Sequence, residues 1–317
     1  MPHVPQLRSA HARVGRLIHF GRMLDKIRLN ARGELPQDYV ATVGDQKPNQ
    51  FDARCCRFLG VPYADVRERA LQGGCDEEIL LWAHGKGLAR SDEDCLIWNR
   101  FMSKIGWRDD RTEIVAQRVI EYGFQPGAAQ TLCELFDLDE GRPIGGTRSW
   151  EAHPLSILVV MGVAGSGKTT IGKALADALK WDYIEGDSLH PPENVAKMAS
   201  GVALSDADRA PWLESIRSAI DSSVASGRKV VVACSALRHA YRQALTPDTG
   251  SSRYIHLKGD FALIKGRLAA RTGHFMKESL LQSQFDALEA PESALVVDAA
   301  DEPSAIIARI RKVFDLT

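Results

Sequence analysis

What this sequence lacks narrows it first. No two of its six cysteines (Cys55, Cys56, Cys75, Cys95, Cys133 and Cys234) stand in C-x-x-C spacing, so a zinc ribbon or a dithiol redox centre has nothing to build on. Scattered cysteines in a chain this long fit reduced thiols packed in a core, and hence a cytoplasmic protein. No apolar run approaches the ~18 residues of a membrane-crossing helix, so no membrane partner is expected. The N-terminus carries Arg8, Arg13, Arg16 and Arg22 without the apolar stretch of a secretory signal. Neither sign of charge dominates: 40 Lys and Arg stand against 41 Asp and Glu. Residues 1–148 hold 21 of each, and the remainder holds 19 and 20, which argues against nucleic acid as a partner. The exception is residues 1–32, with seven basic residues and Asp25 the sole acid; this reads as a solvated helical face before it reads as a docking surface for anions. Nothing in a composition of 44% hydrophobic and 26% charged residues suggests disorder or a fibre.

The most informative stretch that is present runs from Gly162 to Thr170, GVAGSGKTT. It fits G-x-x-x-x-G-K-[ST], with Gly162, Gly167, Lys168 and Thr169 at the fixed positions. A chance match to four such positions is about a 1% event in a chain this long. The flanks lower it further. LSILVVM (155–161) is an apolar, β-branched run that reads as a buried strand, and IGKALADALK (171–180) is apolar at helical spacing. Glycines at 162, 165 and 167 let the backbone curl so that its N–H groups form a nest for phosphate oxygens. A helix starting near Lys168 adds its positive dipole end. The expected phosphate-binding residues are Gly162, Val163, Ala164, Gly165, Ser166, Gly167, Lys168, Thr169 and Thr170. Lys168 can reach the β- and γ-phosphates, and the Thr169 hydroxyl can hold Mg²⁺.

At 317 residues the chain suggests two domains. Residues 1–145 read as mostly helical. Arg13 to Leu29 places Val14, Leu17, Ile18, Met23, Leu24 and Ile27 near one helical stripe. Further helices are expected over 51–60, 64–74, 94–107, about 110–122 and 131–141, with Ser91 and Asp94 as a capping pair. No strand-like alternation is evident. Cys55 and Cys56 read as packing residues. Trp82, Trp98 and Trp107 read as core, and His11, His19 and His84 lack metal spacing. Segments such as IHFGRMLDKIRL and FDLDEGR resemble a small helical domain found in many bacterial proteins; the resemblance supplies no role for any residue. Residues 146–153 read as an exposed linker.

From about 154 to 317, strands alternate with helices. Strands are expected over 181–187, 228–237, 253–259 and 294–299 besides the first. Helices are expected over 193–200, 208–226, 238–245, 261–271, 276–288 and 304–314. The reading is an α/β fold with a five-stranded parallel sheet covered on both faces. Ligands then bind beyond the carboxyl ends of the strands. The second strand delivers Asp187 and His190; the third delivers Cys234, Ser235 and Arg238. An acid facing a phosphate loop suits a kinase: it can accept the proton of an acceptor hydroxyl or hold Mg²⁺. Arg209 can grip an anionic substrate or simply pair with Asp206 or Asp208. Arg267 and Arg271, four apart on one expected helical face, suit a segment that brings charge to a transferring phosphoryl group. Cys234, at the end of a buried strand, reads as a structural thiol.

MGVAGSGKTTIG, GDSLHPPENVAKMASGVALSDADRAPWL, VVACSALRHAYR, LKGDFALIKGRLAARTGHFMKESLLQSQFDALEAP and LVVDA together resemble bacterial gluconokinase of the P-loop type. The resemblance runs from about 157 to 314. It implies a fold like that of shikimate and nucleoside monophosphate kinases, and ATP-dependent phosphorylation of D-gluconate at its 6-hydroxyl. By the same resemblance Gly162 to Thr169 bind ATP. Asp187, His190 and Arg209 fall in a sugar-acid pocket, with Arg238 nearby, and Arg267, Arg271 and His274 fall in a lid. The expected catalytic residues are Lys168, Asp187 and Arg271. The expected cofactors are ATP, with Arg267 among its contacts, and Mg²⁺ on Thr169 and Asp187. A homodimer is compatible with such a chain. In SGVALSD, Val202 and Ala203 stand where the family more often has a polar residue and Pro, which puts the tightness of that turn in doubt. Shikimate or a nucleotide as acceptor is the alternative, but Cys234-Ser235-Ala236 replaces the glycine run expected of shikimate kinases. An ATP-binding regulator of the first domain is the third reading.

Overall fold

A computed structural model describes residues 4, 6–144, 155–246, 251–270, 278–291 and 293–316. The chain divides into two compact units, Met1–Ala152 and His153–Thr317. The expected linker, Arg271 and His274 lie outside the described residues.

In the first unit, the long helix expected from Arg13 is two structures. Strands β1 (Arg13–Val14) and β2 (Leu17–Ile18) pair antiparallel around Gly15, and α1 (Phe20–Arg32) begins only after His19. Gly15 has φ +53 and His19 φ +68, so the chain turns twice within five residues. The reason is tertiary. Asn99 Oδ1 accepts from the Ile18 N–H at 3.1 Å, Asn99 Nδ2 donates to the Arg16 carbonyl at 2.8 Å, and Trp98 Nε1 donates to the Ile18 carbonyl at 3.3 Å. Side chains from a distant helix thus satisfy backbone groups that a helix would have satisfied internally. The apolar stripe itself is real: Val14, Leu17, Ile18, Met23, Leu24 and Ile27 are all buried.

The remaining helices of this unit are α2 (Gln37–Val40), α3 (Phe51–Leu59), α4 (Tyr63–Leu71), α5 (Asp76–Lys86), α6 (Asp92–Met102), α7 (Thr112–Glu121) and α8 (Leu132–Asp139). Gly60, at φ +68, closes α3, and Ser91 with Asp94 forms a reciprocal cap on α6, as the residue types dictate. Cys55, Cys56 and Trp98 are buried, and Trp82 packs against the same core. Trp107 does not: it is 43% exposed, beside Lys104 and Arg108.

The second unit is a five-stranded parallel sheet. Its strands are β3 (Ile157–Met161), β4 (Asp182–Glu185), β5 (Val230–Ala233), β6 (Ser252–Lys258) and β7 (Leu295–Asp298), in the order β4-β5-β3-β6-β7. The central strand β3 is wholly buried, with Ile157 opposite Val230 on one side and Ser252 on the other. The connecting helices are α9 (Lys168–Leu179), α10 (Pro192–Ala199), α11 (Asp206–Ala225), α12 (His239–Leu245), α13 (Phe261–Ala269), α14 (Glu278–Ala287) and α15 (Pro303–Val313). On one sheet face, Ile157, Val159, Val230 and Val232 pack on Trp212, Ile216 and Ile220 of α11. On the other, Gly172 of α9 lies so close to Tyr183 that an added Cβ would sit 2.9 Å from the ring. Continuous apolar strands covered on both faces are what a parallel sheet requires. Among the described residues, no helix is long and apolar enough to cross a membrane.

Candidate active site

The phosphate-type loop joins β3 to α9. Gly162, Gly165 and Gly167 have φ of +145, +83 and +103, conformations that glycine alone adopts cheaply. At Gly162 an added Cβ would meet the Leu257 carbonyl oxygen at 2.8 Å, a backbone atom of the neighbouring strand. Gly167 caps α9 with open space where a side chain would be. Val163 packs into an apolar cluster with Leu237, Ile264, Leu268 and Leu281, which supports the loop from its outer side. Lys168 is 8% exposed, and its ammonium donates to the Val163 carbonyl at 3.1 Å. The Ser166 hydroxyl is buried without a partner among the described residues. Thr169 and Thr170 are exposed on the first turn of α9.

Beside the loop, β5 and then β4 deliver the other polar groups. The Gly162 N–H donates to the Ser235 carbonyl at 3.3 Å, so the start of the loop leans on the end of β5. Cys234 is fully buried there, and burial pushes its thiol up to about 12; it is a packing residue, not a nucleophile. Asp187 is exposed in the single 3₁₀ turn Gly186–Leu189 that follows β4. His190 ends that turn and lies flat on Trp212, with ring centroids 4.2 Å apart and 12° between planes. Trp212 is 1% exposed and donates its indole N–H to the Gly186 carbonyl at 2.7 Å. Burial lowers the pKa of His190, against the opposing pull of Asp187, so the ring is neutral at pH 7.

Arg209 and Arg238 come together on one acid. Arg238 donates to both oxygens of Asp206, at 3.0 and 2.8 Å, and Arg209 lies 3.8 Å from Asp206 while donating to the Leu204 carbonyl. The Tyr241 hydroxyl donates to the same carboxylate and, with the two arginines, holds Asp206 below its ordinary pKa. Asp208 serves elsewhere: it closes the reciprocal cap with Ser205 and pairs with Lys197 at 2.5 Å.

The structure therefore gathers residues 162–170, Asp187, His190, Arg209 and Arg238 around the carboxyl ends of three neighbouring strands. Arg267 makes a contact at the far side of the sheet. Its guanidinium donates to the Ala299 carbonyl, just past β7, at 2.7 Å, and α13 stops at Ala269, before Arg271. Arg271 itself lies outside the described residues. Three groups escaped the sequence reading. Gln284 accepts from the Ala164 N–H at 2.7 Å. The Tyr183 hydroxyl donates to Glu185 at 2.7 Å. Tyr241 joins the arginine cluster. The signal for Gln284 was legible: a polar residue on the otherwise apolar stripe Leu281–Leu288.

A nucleotide and Mg²⁺ suit these donors. Thr169 and Asp187 offer hard oxygens, the Ser166 hydroxyl lacks a protein partner among the described residues, and the glycine cradle is open at Gly167. Among the described residues no group of three or more His, Cys, Asp or Glu could hold a metal. That fits an ion that completes its shell with water and substrate phosphates.

Comparison with known proteins separates the two units. Residues 4–142 match the family described as a domain of unknown function (DUF5069), and residues 164–313 match the shikimate kinase family. The gluconokinase of Gluconobacter oxydans (strain 621H) is 42% identical over 160 residues, covering 50% of this chain and 90% of that protein. A probable gluconokinase of Rattus norvegicus is 45% identical over 155 residues, covering 43% and 84%. The thermoresistant gluconokinase of Escherichia coli (strain K12) is 40% identical over 154 residues, covering 48% and 88%.

Proposed function

Because this chain belongs, through its second unit, to the gluconokinase family, we propose that it transfers the γ-phosphoryl group of ATP to the 6-hydroxyl of D-gluconate. One observation carries the reading: adjacent strands β4, β5 and β3 deliver, side by side, an exposed acid, an arginine and a phosphate-type loop.

The loop N–H groups and the N-terminus of α9 receive the phosphates. Lys168 leaves the Val163 carbonyl to bridge the β- and γ-phosphates and stabilises charge on the transferring group. Thr169 and Asp187 would hold Mg²⁺, which supplies neutralisation of the phosphate charge when bound. Asp187 accepts the proton of the attacking hydroxyl. Arg209 and Arg238, already oriented by Asp206, hold the acid end of the sugar, and neutral His190 hydrogen-bonds its hydroxyls. Arg271 as a catalytic residue, His274 as a substrate contact and Arg267 as an ATP contact rest on the family resemblance.

Gluconate is favoured over shikimate because the gluconokinases named above are 40–45% identical to this unit, and because Cys234-Ser235-Ala236 closes β5. The test incubates the full-length protein with Mg-ATP and D-gluconate, other sugar acids, shikimate or nucleoside monophosphates. The expected product is 6-phospho-D-gluconate. ADP release with gluconate no greater than the blank, while another acceptor turns over, overturns the assignment.

A further inference from the structure

We propose that Gln284 is a positioning residue for the nucleotide loop, fixing the orientation of one peptide group that Lys168 must release when it engages phosphate. The proposal rests on reading residues 162–170 as the nucleotide site.

The peptide group joins Val163 to Ala164, and it is held from both ends. Its carbonyl accepts from Lys168 Nζ at 3.1 Å; its N–H donates to Gln284 Oε1 at 2.7 Å. A peptide is a rigid plane, so two grips on opposite edges fix its rotation. A lysine that moves onto phosphate gives up its grip, and the plane is then held at the N–H alone. The segment has little stiffness of its own, since Gly162 and Gly165 flank it at positive φ. Released at both edges, the plane can turn its carbonyl towards the phosphates, where the oxygen's partial negative charge repels them. Gln284 prevents that turn while Lys168 is away.

The helix that carries Gln284 is suited to the task. Leu281 is 2% exposed and packs with Val163, Ile264 and Leu268, and Phe285 and Leu288 pack against the same cluster. Positions 281, 284, 285 and 288 share one face of α14. Gln284 is the polar member of that face and is half-buried, so its hydrogen bond is partly shielded from water. The far end of the helix is anchored separately. The Glu289 N–H donates to the Leu237 carbonyl at 3.0 Å, and Glu289 Oε2 accepts from the His239 N–H at 2.5 Å. Loss of the Gln284 side chain therefore leaves α14 seated.

The test compares wild type, Gln284→Ala and the size-preserving Gln284→Met in the full-length protein. Three quantities are measured: KM for ATP and for gluconate, affinity for a non-hydrolysable ATP analogue by calorimetry, and amide exchange at Ala164. Removing one hydrogen bond of this kind is expected to raise KM for ATP and weaken the analogue about tenfold. The gluconate KM and thermal midpoint stay near wild type, and exchange at Ala164 accelerates. ATP and analogue affinities within twofold of wild type overturn the proposal. So does an equal rise in both KM values, or a loss that tracks a fallen thermal midpoint in both variants. If wild type turns over no gluconate, the substrate assignment fails while the analogue titration still decides the role of Gln284.

Discussion

The first unit pairs acids with bases in its interior; the second sets Asp187 and Asp206 out near the ends of its strands. Asp52 is fully buried between Lys26, at 2.8 Å, and His19, at 2.9 Å. Arg22 and Glu140 pair with side chains 5% and 2% exposed, and Asp76 takes both Arg8 and Arg28. These groups tie α1 to α3, α5 and the end of α8. In the second unit, Asp187 and Asp206 are exposed. Their neighbours are side chains from loops and helix starts, not core partners. The same residue types therefore do different work. Buried pairs are costly to break because the partner left behind stays charged. Exposed acids and bases at strand ends keep capacity for a ligand. By this criterion the ionic clusters of the first unit are structural, and the second unit holds the site.

The sharpest way to break this contrast is Asp52→Asn. It leaves Lys26 buried without a counter-charge and is expected to destabilise the first unit by about 3–5 kcal/mol, measured as the loss of amide protection in α1 and α3 under urea. A change below 1 kcal/mol removes the structural reading of the cluster. Lys168→Ala is the counterpart in the second unit. Turnover should fall about 10²–10³-fold, while far-ultraviolet circular dichroism is unchanged, since among the described residues its side chain bonds only to the Val163 carbonyl. Loss of the spectrum means that Lys168 is structural too. Asp187→Asn should lower kcat about 10²-fold with much less effect on KM for ATP. Equal losses in both assign Asp187 mainly to metal binding. The mildest test is acid. Burial alone would raise the Asp52 carboxyl, but Lys26 and His19 hold it down to about 2, from 3.8. Its folded pKa is depressed, so its contribution is present above pH 4 and disappears as pH falls towards 2. First-unit amides should lose about 2 kcal/mol of protection across that window. Flat protection between pH 4 and 2 contradicts the buried pairing.

The second unit was legible because three of its strands hold short apolar runs and Asp187 and the phosphate-type loop each follow a strand closely. ILVVM, VVVA and LVVD leave little choice of structure. The first unit was less so, for definite reasons. The β1–β2 ribbon looks helical until Asn99 and Trp98, some 80 positions away, are known to complete its hydrogen bonds. Helix α5 went unread because its cap is Cys75, answered by Glu78, and its residues show no clear apolar stripe. At the site, the loop could be read residue by residue. Contacts set by packing, such as Arg267 on Ala299, could not.

One contact reaches beyond the site it lines. His190 rests on Trp212, and the indole in turn braces the turn that carries Asp187, so what the proposed function makes the floor of the acceptor side also belongs to the sheet's hydrophobic layer. Under that proposal, selectivity and folding share a residue there. A lineage that drifted towards a bulkier or smaller acceptor by altering this floor would have to rebuild its interior at the same step, which makes the acceptor side slow to evolve even where the surrounding arginines are free to change.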